Sequence, residues 1–330
     1  SDGLPFHRLL FWQEGIMKIY PGIFLALVLL QPVSAEELLD AAQGVKRVAD
    51  GCKFTEGPAS SPSGELYFSD IENNRIMRLE RSGLVREFRR PSGRSNGIVF
   101  DHEGRLVMCQ GAGPGGGRRV ARLEKDGSET VLAASYAGRK FIAPNDLCID
   151  RKGRIYFTDP YYGPPAEKSQ PSSGVYLIDD AGKVRLLLKD LLKPNGIVIS
   201  LDNRHLYVSD RGTQKLHRYR VGVDGGLSGR STIYNFSPDR GIDGMCLDSA
   251  GNIFGAAGKE KTTGLFVISP KGKLLLHKPM PEFSTNVTFG GADGKDLYLT
   301  ATSGVYRMRA RRRGVVWPAK ESREPRAAGD

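Results

Sequence analysis

Six positions in this 330-residue chain carry small oxygen-bearing side chains in phase with one another. They are Glu56, Asn96, Asn145, Asn195, Asp243 and Asn286, and they follow one another at steps of 40, 49, 50, 48 and 43 residues. Carboxylate and carboxamide oxygens are hard ligands, and two carboxylates balance one doubly charged ion. Brought to one point, the six would form a site for calcium, magnesium or manganese, with zinc as a further candidate. Glu-Gly, Asn-Gly and Asp-Gly are also ordinary turn dipeptides, and four of the six are followed by glycine: Gly57, Gly97, Gly196 and Gly244. Their phase argues against a pure turn role, because each repeat has its own turn glycine or asparagine elsewhere, as at Gly64, Gly104, Gly153 and Asn203.

The elements that must position these groups are strands. After each opener comes a short apolar run, a turn, and a second run rich in aromatic and β-branched residues, such as Leu66-Tyr67-Phe68-Ser69-Asp70 and Leu206-Tyr207-Val208-Ser209-Asp210. A third and a fourth run follow, each bounded by Gly or Asp. No window beyond residue 45 sustains a helical apolar period. Repeats of this length point to a propeller or a solenoid. Four antiparallel strands per unit and six units predict an all-β fold, a six-bladed β-propeller of four-stranded blades. The first strand of each blade then lines the central channel, and the openers converge at one end of it. The sixth unit offers three strands only, near 286–290, 296–300 and 304–308. Val45-Lys46-Arg47-Val48-Ala49 is expected to complete it, closing the ring with an N-terminal strand in the last blade and leaving no open edge.

The propeller accounts for residues 36–308. Before it, Met17-Lys18, the apolar run Ile23–Leu30 and Val33-Ser34-Ala35 read as a charged n-region, a short h-region and a cleavage site. Residues 1–35 are therefore expected to be an upstream extension and a signal peptide cut near Ala35, with the product exported to the periplasm or secreted and without a stable membrane anchor. The formal charge is +11, and residues 307–330 hold eight basic against three acidic side chains. Residues 309–330 are expected to be a solvated, disordered basic tail. Aromatic residues are not interleaved with it, which argues against nucleic acid as a partner. Cys52, Cys109, Cys148 and Cys246 are expected to be buried free thiols. Gly93-Arg94-Ser95-Asn96-Gly97 matches a nucleophile elbow, and Gly111-Ala112-Gly113-Pro114-Gly115-Gly116 matches a dinucleotide loop. Both motifs need a following helix, and strand-like sequence follows each.

Phe54-Thr55-Glu56-Gly57-Pro58, Ser95-Asn96-Gly97, Ala143-Pro144-Asn145-Asp146-Leu147, Tyr156-Phe157-Thr158-Asp159-Pro160-Tyr161-Tyr162-Gly163, Lys193-Pro194-Asn195-Gly196, Asp243-Gly244-Met245 and Thr285-Asn286-Val287-Thr288-Phe289-Gly290-Gly291 resemble the gluconolactonase/senescence-marker-protein/luciferin-regenerating-enzyme family, its bacterial gluconolactonase branch above all. The resemblance covers about residues 45–308. It implies one divalent metal, calcium first, held by Glu56, Asn195 and Asp243. Asn145 would be a further ligand or a substrate contact, and Asp243 the acid/base. Ala143 replaces an arginine of the animal members, and Gln110 an acidic residue common in bacterial ones, which bears on sugar specificity rather than on the metal. The implied function is a metal-dependent hydrolase, a lactonase that opens sugar lactones to aldonic acids. Asn96, Asn145 and Asn286 would orient hydroxyls, and Tyr161 and Tyr162 would form a wall. The alternatives are a phosphotriester or fluorophosphate hydrolase on the same metal, or a non-catalytic exported propeller that binds sugars or proteins. The expected partner is a small lactone, and the expected state a monomer or weak oligomer.

Overall fold

The computed structural model describes residues 38–162 and 166–315. The expected signal segment 1–35 lies outside the described residues, as does the part of the basic tail from 316 onward. Six four-stranded antiparallel sheets follow one another along the chain. The first strands of the blades are Thr55–Ser60, Ser95–Phe100, Leu147–Ile149, Pro194–Ile199, Met245–Leu247 and Ser284–Gly290. In blades one to five the strand order is sequential. In blade six it is Lys46–Ala49, Val305–Arg309, Asp296–Ala301, Ser284–Gly290, so the strand nearest the start of the described chain closes the ring. Its register pairs Lys46 with Arg307, Arg47 with Tyr306 and Ala49 with Val305.

Strand composition sets the layering. The second strands, for example Leu66–Asp70 and Ile155–Asp159, are buried along their whole length. They sit inside a blade and are covered on both faces by its neighbours. The outermost strands, such as Val85–Arg89, are largely exposed and carry charge. The apolar core of the described residues divides into six clusters, one between each pair of adjacent blades. Phe157 and Tyr176 of blade three, for instance, pack with Val107 and Cys109 of blade two. Each large side chain buried in this way contributes on the order of 2 kcal/mol. The four cysteines are free and buried, and burial pushes the Cys109, Cys148 and Cys246 thiols well up.

The described structure runs further than the expected boundary at 308. Arg309 ends the last strand, where it pairs with Asp293 and Asp296. Arg311 N donates to Leu38 O (3.0 Å), Ser249 N to Arg313 O (2.9 Å) and Val315 N to Leu247 O (3.1 Å). Up to residue 315 the basic segment is therefore a strap across blades five and six, fixed by backbone bonds that do not depend on side-chain type.

Candidate functional site

Two devices carry the openers to the channel. The first is the aspartate at the end of the second strand. Asp70 accepts from Lys53 N and Phe54 N, Asp159 from Ile142 N and Ala143 N, and Asp210 from Leu192 N and Lys193 N, at 2.7–3.2 Å. Each carboxylate thus holds the loop that delivers the opener of its own blade. The second device is the hydroxyl just before that aspartate. Ser69 Oγ donates to Asn96 O (2.8 Å), Thr158 Oγ1 to Asn195 O (2.9 Å) and Ser209 Oγ to Ile242 O (2.6 Å), so each pins the opener segment of the next blade. The glycine after an opener is a ring contact. A Cβ on Gly57 would overlap the Asn96 carbonyl oxygen, one on Gly196 the Asp243 carbonyl oxygen, and one on Gly244 the Asn286 side chain. The alternative reading of these dipeptides as turns fails for this reason.

At one mouth of the channel Glu56, Asn96, Asn145, Asn195 and Asp243 line a cleft of about 410 Å³. Glu56, Asn195 and Asp243 are buried. Asn195 Nδ2 donates to Asp243 Oδ1 (2.6 Å) and to Tyr162 Oη (3.2 Å). Both amide hydrogens are thereby used, and the amide oxygen is the atom left to coordinate. Asp243 Oδ2 accepts from Arg240 Nη1 (2.8 Å) and Arg211 Nη1 (3.3 Å). Arg240 also donates to Gly258 O (2.7 Å) and Ser284 O (2.6 Å), and its guanidinium lies 4.1 Å from the Phe283 ring centre. Glu56 Oε2 accepts from Gly57 N (3.0 Å) and Asn286 Nδ2 (3.2 Å). Desolvation, and then the negative charge of Asp243, hold the Glu56 carboxyl well above the usual carboxylate range. A buried Glu56 carboxyl whose ionised form is costly next to Asp243, beside a free amide oxygen, forms with Asp243 a donor set that suits a hard divalent cation.

Two residues expected at the substrate, Asn286 for its hydroxyls and Tyr161 for the wall, are placed otherwise. Asn286 is absent from this cleft. Its amide donates to Glu56 and its Oδ1 accepts from Val287 N (2.8 Å), so it orients a carboxylate. Tyr161 is 42% exposed and off the cleft wall, while Tyr162 faces inward, flanked by Lys193 Nζ at 5.2 Å and Arg211 Cζ at 5.7 Å. The tight turn that brings Tyr162 N onto Pro160 O (3.0 Å) separates the two rings. Arg211 and Arg240 lie outside the six repeated openers, in segments whose residues differ from blade to blade, so the repeat does not single them out. Only the spacing of Arg240, three residues before Asp243, hinted at a partner. The other end of the channel also opens into a cavity of about 410 Å³, but its walls are chiefly apolar, with Ile98, Leu147, Ile197 and Met245 among them. The convergence of polar openers therefore distinguishes the first mouth.

The family model described as the SMP-30/Gluconolactonase/LRE-like region matches residues 54–303. A gluconolactonase of Zymomonas mobilis is 28% identical over 308 residues, which cover 84% of this chain and 84% of the relative. Among solved structures, a putative gluconolactonase superposes with a TM-score of 0.78 at 29% identity, over 86% of this chain and 98% of its own. A gluconolactonase of Xanthomonas campestris superposes with a TM-score of 0.75 at 28% identity, over 83% and 91%.

Proposed function

This chain belongs to the SMP-30/Gluconolactonase/LRE-like family, and from that premise we propose that it hydrolyses the ring ester of sugar lactones to aldonic acids. The observation that carries the reading is the meeting of Glu56, Asn195 and Asp243, from three blades, on the floor of one open cleft. The similarity to gluconolactonases supports the ester chemistry.

Glu56, Asn195 and Asp243, with Asn145 beside them, would hold one divalent cation, calcium first and magnesium, manganese or zinc after it. When bound, that ion supplies Lewis-acid polarisation of the ester carbonyl. The remaining work falls to the side chains of this chain. Asp243 accepts the proton of the attacking water at a carboxylate oxygen and returns it to the ring oxygen as the C–O bond breaks. Arg240, locked by two backbone carbonyls, fixes the orientation of that carboxylate. Arg211 and Tyr162 border the carboxylate on the cleft side, where Arg211 can stabilise negative charge as it develops. Asn96 and Asn145 face the cleft with carboxamides suited to sugar hydroxyls.

Asp243→Asn should lower lactone turnover by roughly a thousandfold or more, the upper range for losing a general base, with an unchanged circular dichroism spectrum. Chelation should abolish turnover, and added calcium should restore it. Near-normal opening by Asp243→Asn, or full activity in chelator, would refute the proposal. Organophosphates tested beside the lactones address the other hydrolytic reading. A chelator-insensitive protein that turns over neither class would leave the binding reading.

A further inference from the structure

One motif set aside in the sequence finds a use at the cleft. Arg94 lines the same cleft as Glu56 and Asp243, at the approach to the first strand of blade two. Its backbone is left-handed, at φ 54°, a conformation that costs a non-glycine residue on the order of 1 kcal/mol. Asn74 Oδ1 holds it there by accepting from Arg94 N (2.7 Å). The glycine-rich run Gly111–Gly117 wraps the side chain. Gly111 N donates to Arg94 O (3.0 Å), and a Cβ on Gly113 would stand 3.1 Å from Arg94 Nε. The run that matches a phosphate loop therefore leaves room for a guanidinium.

The guanidinium is incompletely used. Its Nη2 pairs with Glu72 Oε1 (2.6 Å), but the Glu72 side chain is 53% exposed while that of Arg94 is 17% exposed. A pair that open to water contributes under about 1 kcal/mol and exchanges readily. Arg94 Nε is buried with no hydrogen-bond partner among the described residues. A guanidinium on the wall of a cleft, its Nη2 held only by a half-exposed carboxylate, matches a carboxylate on a ligand. Arg94 belongs to blade two, whereas Glu56, Asn195 and Asp243 come from blades one, four and five. It is thus placed for the far end of a substrate whose ester lies on that floor. Resting on the lactonase reading, we propose that Arg94 selects lactones bearing a second, distal carboxylate, the lactones of aldaric acids. Glu72 keeps its place until such a substrate arrives. A carboxylate suits this one guanidinium, already half-neutralised by Glu72, better than a doubly charged phosphate does.

The test compares kcat/KM for gluconolactone, glucarolactone and 6-phosphogluconolactone. Wild-type protein should favour glucarolactone over gluconolactone by about tenfold or more, the factor that one good charge-assisted contact supplies. The ratio should shrink with added salt. Arg94→Gln should bring it close to one, and Glu72→Gln, a change at a half-exposed site, should raise it. A wild-type ratio near one, a ratio unmoved by Arg94→Gln, or a preference for the phosphorylated lactone would each overturn the assignment while leaving lactone hydrolysis intact. If none of the three is opened, the proposed activity falls instead. Calorimetric binding of glucarate against gluconate then reads Arg94 directly. Tighter glucarate binding that Arg94→Gln removes supports the role, and equal binding of the two acids overturns it.

Discussion

At the scale of single residues, the channel is a row of carboxyl groups held at unequal cost. Besides Glu56 and Asp243 there is Asp146, which occupies the place where four other blades have glycine. Burial pushes its carboxyl up to about 7, against the hydrogen bonds from Leu147 N and Ile197 N that favour the ionised form. Asp159 is likewise pushed up to about 7 by burial. In the unfolded chain both would titrate near 4. A carboxyl raised on folding favours the folded state at low pH, and that contribution disappears as pH rises to the folded value. For each of these two groups the loss between pH 4 and 7 is on the order of 4 kcal/mol. Metal-free protein should therefore lose thermal stability from pH 4 to 7. Asp146→Asn, which keeps an oxygen for Leu147 N, should flatten that slope. An identical slope in the variant, read by calorimetry across the range, would show that Asp146 does not titrate there.

At the scale of elements, the unit that builds the site is the opener with its glycine, set between an aspartate of its own blade and a hydroxyl of the preceding one. Gly57 has φ +49°, and its Cα faces the Asn96 carbonyl of the next blade. Gly57→Ala adds both left-handed strain and a steric overlap with backbone, which cannot swing aside as a side chain would. A loss of about 3 kcal/mol or more in urea unfolding is expected. Lactone turnover should fall with it, because the shift would move Glu56 and Asn96 together. A stable, fully active Gly57→Ala would mean that the two blades can separate there at little cost. This element was legible as a repeat of residue types. What the glycine faced was not, because the clash lies between residues about 40 positions apart and exists only once the ring has closed.

At the scale of the whole molecule, stability depends on closure. Leu38 and Leu39 sit in the cluster between blades five and six, and Lys46–Ala49 supplies the outer strand of blade six. A chain starting at residue 50 would expose the edge of Val305–Arg309 and remove those two leucines from the core. Compared with a chain starting at Glu36, its melting temperature should drop by more than roughly 10 °C. Light scattering should reveal association through the open edge. Equal melting and a monodisperse monomer would mean that the closing strand contributes little. The strap of residues 310–315 adds backbone bonds from Gly314 to Gly294 and from Val315 to Leu247. Composition had suggested a free basic end here, because net charge reports solvation and says nothing of backbone hydrogen bonding.

The sequence alone determined the period, the strand alternation within it and the borrowed closing strand, and from these the number of blades. Those properties are local or additive along the chain: side-chain alternation has a period of two, and a turn depends on a few neighbouring residues. The tertiary structure decided which way each group turned. Asn286 backs Glu56, Tyr161 faces solvent while Tyr162 faces the cleft, and Arg211 and Arg240 converge on Asp243 from separate loops. Irregular segments have no period to read, and their side chains are aimed by contacts with other blades. Those contacts exist only after the chain ends have met.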